Sequence, residues 1–253
     1  MSFGFRYESE MTDLATAASP WWWLGSREHD FVAAEIVGPD AVADLVAIRF
    51  DQRRLAAREA EGIGPITDAL ALRALQACRD RVASTQELAK ECHVTPSGMR
   101  RALAVALEAH ALVRHGRGHY RCHPAWGPIG ARLVAAELKL DNWRAAFEQA
   151  RAYLRWANAS WIVLARTPPA EATLQAERDG LGLAVLGANG KIKRLTRPRA
   201  VRRPRSSWAA LWTSEQALAR AVNAGYSAAR PVPPVIAGPA MRASAGAGSL
   251  RSA

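Results

Sequence analysis

The chain has 253 residues, 49% of them apolar, and a net charge of +11. That is enough for one large domain, or a medium and a small one, and the absence of any run of about 18 uncharged apolar residues predicts no membrane span. Three cysteines, Cys78, Cys92 and Cys122, are few and odd in number, which argues against a disulfide framework and suits a reducing, cytoplasmic compartment. The opening "MSFGFRYESE" carries acids and no apolar core, unlike a secretory leader.

Charge is unevenly spread. Residues 1–65 hold 11 acidic and 6 basic side chains, residues 66–123 hold 5 and 9, and residues 191–205 hold 8 basic and no acidic ones. A polyanion such as DNA is the natural partner of the basic segments.

In chain order, the first helical pattern covers the acid-bearing "YESEMTDLATAA", with Tyr7, Met11, Leu14 and Ala18 as its apolar face. Trp21–Trp23 follow Pro20 and read as core or interface rather than as a stacking platform. Two β-branched runs, near 31–37 and 42–50, are joined by Gly-Pro-Asp, a turn signal. A charged helical stretch then ends at Gly62-Ile63-Gly64-Pro65.

Residues 66–123 read as a unit of their own. "ITDALALRALQAC" has helical spacing, and Ser84 with Glu87 makes a capping-box pattern before a second helix. Thr95 and Pro96 start a third, and two short strands follow around Gly116 and Gly118. Helix, helix, turn, helix, hairpin is the order of a winged helix-turn-helix. In that fold the third helix enters the major groove by its N-terminus, here Ser97, Arg100 and Arg101. The wing would bring Arg114, Arg117 and Arg121, with His115 and His119, toward phosphates. Cys92-His93 and Cys122-His123 are poor zinc candidates, because adjacent residues rarely ligate one ion together.

The strand pattern resumes at "ARLVAAELKL" (131–140). A helix over 141–158 shows Trp143, Phe147, Ala150, Leu154 and Ala157 on one face; a buried strand (160–166), a short helix ending at Gly180, and a hairpin turning at Asn189-Gly190 follow. Residues 208–224 form a last helix, and the Pro-, Ala-, Gly- and Ser-rich remainder predicts disorder. The predicted architecture is an α/β domain in two parts (1–62 and 127–224) around an inserted winged helix-turn-helix (63–126), with a disordered tail (225–253).

Glu137 and Lys139 point the same way on an apolar strand, and Asp44 lies near the start of another. If those strands are neighbours, Asp44 and Glu137 can share Mg²⁺ or Mn²⁺, whose remaining positions water and a phosphate would fill. Lys139 would orient the attacking water or offset charge on the phosphorus.

This pattern, Asp44 in "AVADLVAIRF" and Glu137-Leu138-Lys139 in "VAAELKL", resembles the PD-(D/E)XK nuclease superfamily over roughly residues 5–50 and 130–195. Alanine stands at 43, where the family often has proline. The resemblance implies a restriction-endonuclease-like mixed β-sheet flanked by helices, with Mg²⁺ or Mn²⁺ as cofactor. It also implies a helix-borne glutamate completing the metal shell, Glu10 in preference to Glu8. Gln149 and Tyr153 are similar to the Gln-X-X-X-Tyr signature of the RecB-like branch, where that helix faces the site and the DNA. The implied activity is metal-dependent DNA hydrolysis, with a homodimer expected for double-strand cutting. The alternative is a catalytically inactive DNA-binding regulator or scaffold that keeps the fold.

Overall fold

The computed structural model describes residues 5–17, 30–201 and 207–229; the tryptophan run, Ala18, the end of the basic run and residues 230–253 lie outside them. Residues 225–229, expected in a disordered tail, instead pack on the sheet, with Tyr226 buried against Phe31 and Phe50 and the Ala228 N–H bonded to Glu59. Helix α1 (Glu8–Ala17) comes first, then strands β1 (Asp30–Val37) and β2 (Val42–Phe50), an antiparallel hairpin closed by Gly38 N–H on Ala41 O at 2.9 Å. After helix α2 (Gln52–Ala60) and a long excursion, the chain returns as β6 (Gly130–Lys139), which pairs antiparallel with β2. Helix α6 (Trp143–Tyr153) and helix α7 (Ala170–Asp179) are the crossovers that set β7 (Ala159–Leu164) and β8 (Gly182–Leu186) parallel to β6. Strand β9 (Ile192–Thr196) closes an antiparallel hairpin on β8. Among the described residues the result is one six-stranded mixed sheet in the order β1-β2-β6-β7-β8-β9, flanked by helices.

The sequence explains the layers. Residues 133–138 of β6 are all buried, as expected for a central strand covered on both faces. One face packs Val46, Ile48, Leu133 and Ala135 against Tyr153 and Trp156, and against helix α8 (Trp208–Asn223) through Ala217, Leu218 and Ala221. The other packs Leu45, Ala47, Val134, Ala136 and Leu138 against Met11 and Ala15 of α1. Toward β8, Trp143, Phe147 and Ala150 of α6 meet Ala172 and Ala176 of α7 over Ile162 and Leu183. Helix α7 stops at Gly180, whose φ of 70° is the left-handed conformation that glycine adopts without a Cβ clash.

The excursion between β2 and β6 builds a second core. It holds α3 (Ala69–Ala77), β3 (Ala83–Ser84), α4 (Thr85–Glu91), α5 (Pro96–Glu108), β4 (Leu112–Arg114) and β5 (His119–Cys122), with the three strands ordered β3-β5-β4. The capping box at Ser84 and Glu87 is formed, and Thr95 accepts from Gly98 N–H with Pro96 in the first turn. This unit is not closed on itself. Leu211 of α8 enters its core beside Ile66 and Trp126, with Trp208 and Trp212 packed against it. Among the described residues no helix is long and apolar enough to cross a membrane.

Candidate functional site

Strand β6 ends in Glu137-Leu138-Lys139, and the polar cluster of the fold is built there. The ladder from β2 runs only as far as Leu45↔Ala136. Beyond it the Asp44 carboxylate takes over from the missing backbone acceptor: its Oδ2 receives the Leu138 N–H at 2.7 Å. The hairpin is irregular at the same level. Ala34↔Leu45 and Ile36↔Ala43 pair on either side of Glu35, which faces Asp44 with a φ of 53°. Asp44 is thereby fixed between the two residues of the Glu-X-Lys pair.

Glu137 is 1% exposed. Its Oε2 lies 2.5 Å from the Tyr153 hydroxyl, which is also 2.9 Å from the Val42 carbonyl, and one proton serves both acceptors. Its Oε1 lies 2.9 Å from Lys139 Nζ as an ion pair but has no partner at hydrogen-bond geometry. Lys139 Nζ also meets Glu8 Oε2 at 3.1 Å. Burial, and then the neighbouring Asp44 charge, push Glu137 above the usual carboxylate range, against the pull of Lys139 and Tyr153. Burial likewise raises Asp44, against the Leu138 N–H and the Lys139 charge. Burial draws the Lys139 ammonium down, but its carboxylate partners outweigh that and hold it above the ordinary lysine range, so it works as a cation and donor. Burial and Glu137 push the Tyr153 phenol up, so it stays protonated.

Asp44, Glu137 and Lys139, far apart in the chain, therefore meet at one end of the sheet. Two of the sequence expectations change. Glu10 does not reach the cluster: its Oε2 accepts the Arg6 N–H at 2.8 Å, closing the first turn of α1, and Glu8 supplies the carboxylate instead. Tyr7 precedes the helix and is 67% exposed, so the inward stripe is Met11 and Ala15, with Glu8 three and seven residues before them. Tyr153, expected to contact DNA, is fully buried, so it cannot touch a strand outside and acts on Glu137. Gln149, one turn before it, is half-buried and takes no part in these hydrogen bonds and ion pairs. Glu35 was missed, although the register of a hairpin turning at Pro39-Asp40 puts it opposite Asp44; its charge is among the causes that raise Asp44.

The donors fit a hard divalent cation. Asp44 and Glu137 offer carboxylate oxygens, and Glu137 Oε1 is buried without a hydrogen bond, which suits Mg²⁺ or Mn²⁺ held by two carboxylates and water. Among the described residues no three His, Cys, Asp or Glu side chains are grouped to hold one ion. The expected DNA contacts lie elsewhere: Ser97, Arg100 and Arg101 are exposed in the first turns of α5, and Arg114, Arg117 and Arg121 are exposed on the β4–β5 hairpin.

Tyr153→Phe is expected to lower stability by about 1–3 kcal/mol, because Glu137 Oε2 and Val42 O then share no donor inside the fold. Denaturant unfolding checks it; an unchanged midpoint and slope would show the hydroxyl to be energetically idle. No family model, curated protein or solved structure matches the chain.

Proposed function

We propose that this chain is a metal-dependent DNA nuclease that hydrolyses phosphodiester bonds, with a winged helix-turn-helix inserted in a restriction-endonuclease-like domain. The observation that carries the reading is the convergence of Asp44, Glu137 and the Lys139 ammonium at one sheet end, with Glu137 Oε1 left without a hydrogen bond. Asp44 and Glu137 would hold Mg²⁺ or Mn²⁺. Such an ion, when bound, polarises the phosphate and acidifies water. The chain's own groups do the rest. Tyr153 locks the Glu137 carboxylate in one orientation from behind. Lys139 offers N–H donors and positive charge to the attacking water or to the phosphate oxygen that gains charge. The exposed arginines of α5 and the hairpin would hold the duplex backbone, leaving the sheet end to meet the scissile bond. A single site of this kind cuts one strand at a time, so double-strand cutting calls for a second copy.

The test uses the full chain with linear, circular and single-stranded DNA in Mg²⁺ or Mn²⁺. Cutting is expected with metal, is lost on chelation and returns when metal is restored; no cutting of any substrate with either metal overturns the reading. The raised carboxyls also set the sign of a pH dependence. A cation binds their deprotonated forms, so Mn²⁺ affinity, read by calorimetry, is expected to weaken as pH falls through a range above that of ordinary carboxylates. An affinity that is flat until pH drops into the ordinary carboxylate range would detach binding from this pair.

A further inference from the structure

The core of the inserted unit holds a pair of groups that the nuclease chemistry does not use. Cys78 caps the C-terminus of α3 and Cys122 ends β5, and their sulfurs are 3.6 Å apart. The Cys122 amide nitrogen lies 3.5 Å from the Cys78 carbonyl oxygen, so the two backbones are already neighbours. A disulfide asks for Cα atoms about 4.4–6.8 Å apart and sulfurs at about 2.05 Å. With the backbones this close, side-chain rotation can bring the sulfurs together without moving an element.

Access is asymmetric. Cys78 is sealed, whereas Cys122 lines an open cavity of about 420 Å³ together with Arg79, Arg81 and Arg121. A small oxidant can enter there and reach Cys122. Within the hydrogen-bonded pair Cys78 is the more acidic thiol, lowered chiefly by its hydrogen bond with Cys122, while that bond and burial push Cys122 up, so Cys122 supplies the access and Cys78 the base. In the reduced state the Cys122 thiol donates to the Leu75 carbonyl at 2.9 Å, a weak bond that oxidation gives up.

We propose that Cys78 and Cys122 form a reversible, peroxide-oxidised thiol pair. The Cys122 sulfur, giving its proton to the Cys78 thiolate across the 3.6 Å contact, attacks one peroxide oxygen; the O–O bond breaks, and the departing hydroxide takes a proton from solvent to become water. This leaves a sulfenic acid on Cys122. The Cys78 sulfur then attacks that sulfur, forming the S–S bond and expelling a second hydroxide, which leaves as water with the Cys78 proton. Two thiols and one hydrogen peroxide thus give one disulfide and two waters, and a dithiol reductant reverses the change. The bond joins residues 44 positions apart and ties β5, the central strand of the small sheet, to α3.

The reduced full chain is titrated with hydrogen peroxide and followed by intact mass, peptide mapping and melting. The expected product has lost two hydrogen atoms, yields a peptide linking Cys78 to Cys122, and melts roughly 4–10 °C higher, reversibly with dithiothreitol. Cys92→Ser is expected to behave identically, and Cys78→Ser to stop at a Cys122 sulfenic acid that dimedone traps. Cys78 and Cys122 remaining alkylatable while Cys92 oxidises, or a link between Cys92 and either of them, overturns the proposal. Two cysteines serving only as small apolar fillers would give that result. If Cys78→Ser fails to fold, the map of the wild-type product decides.

Discussion

Lys139→Ala is expected to slow DNA cleavage by about 10²–10³-fold, the usual cost of removing one preorganised donor from a site where charge develops. Lys139 carries the cluster's ammonium, and its own charge is secured by Glu137 and Glu8. Removing it also strips Glu137 of a lowering influence, so that carboxyl rises further and the acidic limb of the pH–rate profile moves to higher pH. A purely structural lysine would move the melting temperature but not that limb. Asp44→Asn separates the two roles from the other side. The amide oxygen still accepts the Leu138 N–H, so the sheet end keeps its geometry, but the charge for the cation is gone. Asp44 has a folded pKa above its unfolded one, so it adds stability below the unfolded value and gives it up as pH rises through the folded value. At neutral pH the charged form therefore costs stability, and Asp44→Asn is expected to melt at or above the wild-type temperature while losing metal-dependent cutting. A variant that is both destabilised and fully active would contradict both halves.

The sheet was legible because its strands are runs of Val, Ile, Leu and Ala bounded by turn residues. The two hairpins and both crossover helices came from patterns that span fewer than about 20 residues each. Strand β3 has two residues, Ala83 and Ser84, too short for any alternation, and it exists only because β5 offers Tyr120 and His119 as partners. The choice between Glu8 and Glu10 failed on phase. A wheel that includes Tyr7 turns α1 the wrong way, whereas one centred on Met11 and Ala15 brings Glu8 inward. Asp44, Glu137 and Lys139 could be nominated because family-like motifs mark them. What Tyr153 does could not, since a tyrosine on an amphipathic helix looks alike whether its hydroxyl faces solvent or a carboxylate 16 residues earlier. The contacts that fix the inserted unit were out of reach for the same reason: nothing local distinguishes Arg58 from Arg53 or Arg54.

Glu215→Ala is expected to lower unfolding free energy by about 3–5 kcal/mol, because it leaves a guanidinium buried without its counter-charge. The Arg58 and Glu215 side chains are 1% and 0% exposed and meet at 2.6 Å and 3.2 Å. Arg58 Nη2 also donates to Gly127 O at 2.7 Å, and Glu215 Oε2 also accepts the Ile66 N–H at 2.9 Å. Ile66 lies where the chain enters the inserted unit and Gly127 where it leaves, while Glu215 sits on α8, which packs on both cores. The pair thus pins both crossings of the chain to a helix that the two cores share. Arg58 Nε has no hydrogen-bond partner in this arrangement, so part of the desolvation cost is unreturned. Replacing both residues by apolar ones of similar size, Arg58→Met with Glu215→Leu, is therefore expected to cost less than either single change. If the pair also sets the inserted unit against the sheet, the double variant keeps DNA affinity while its cutting rate falls. Chemical denaturation of the four members of the cycle, with cleavage measured on each, tests both statements. Single-variant losses that simply add would show that Arg58 and Glu215 stabilise the fold independently, and the pin would then be no more than two well-packed side chains.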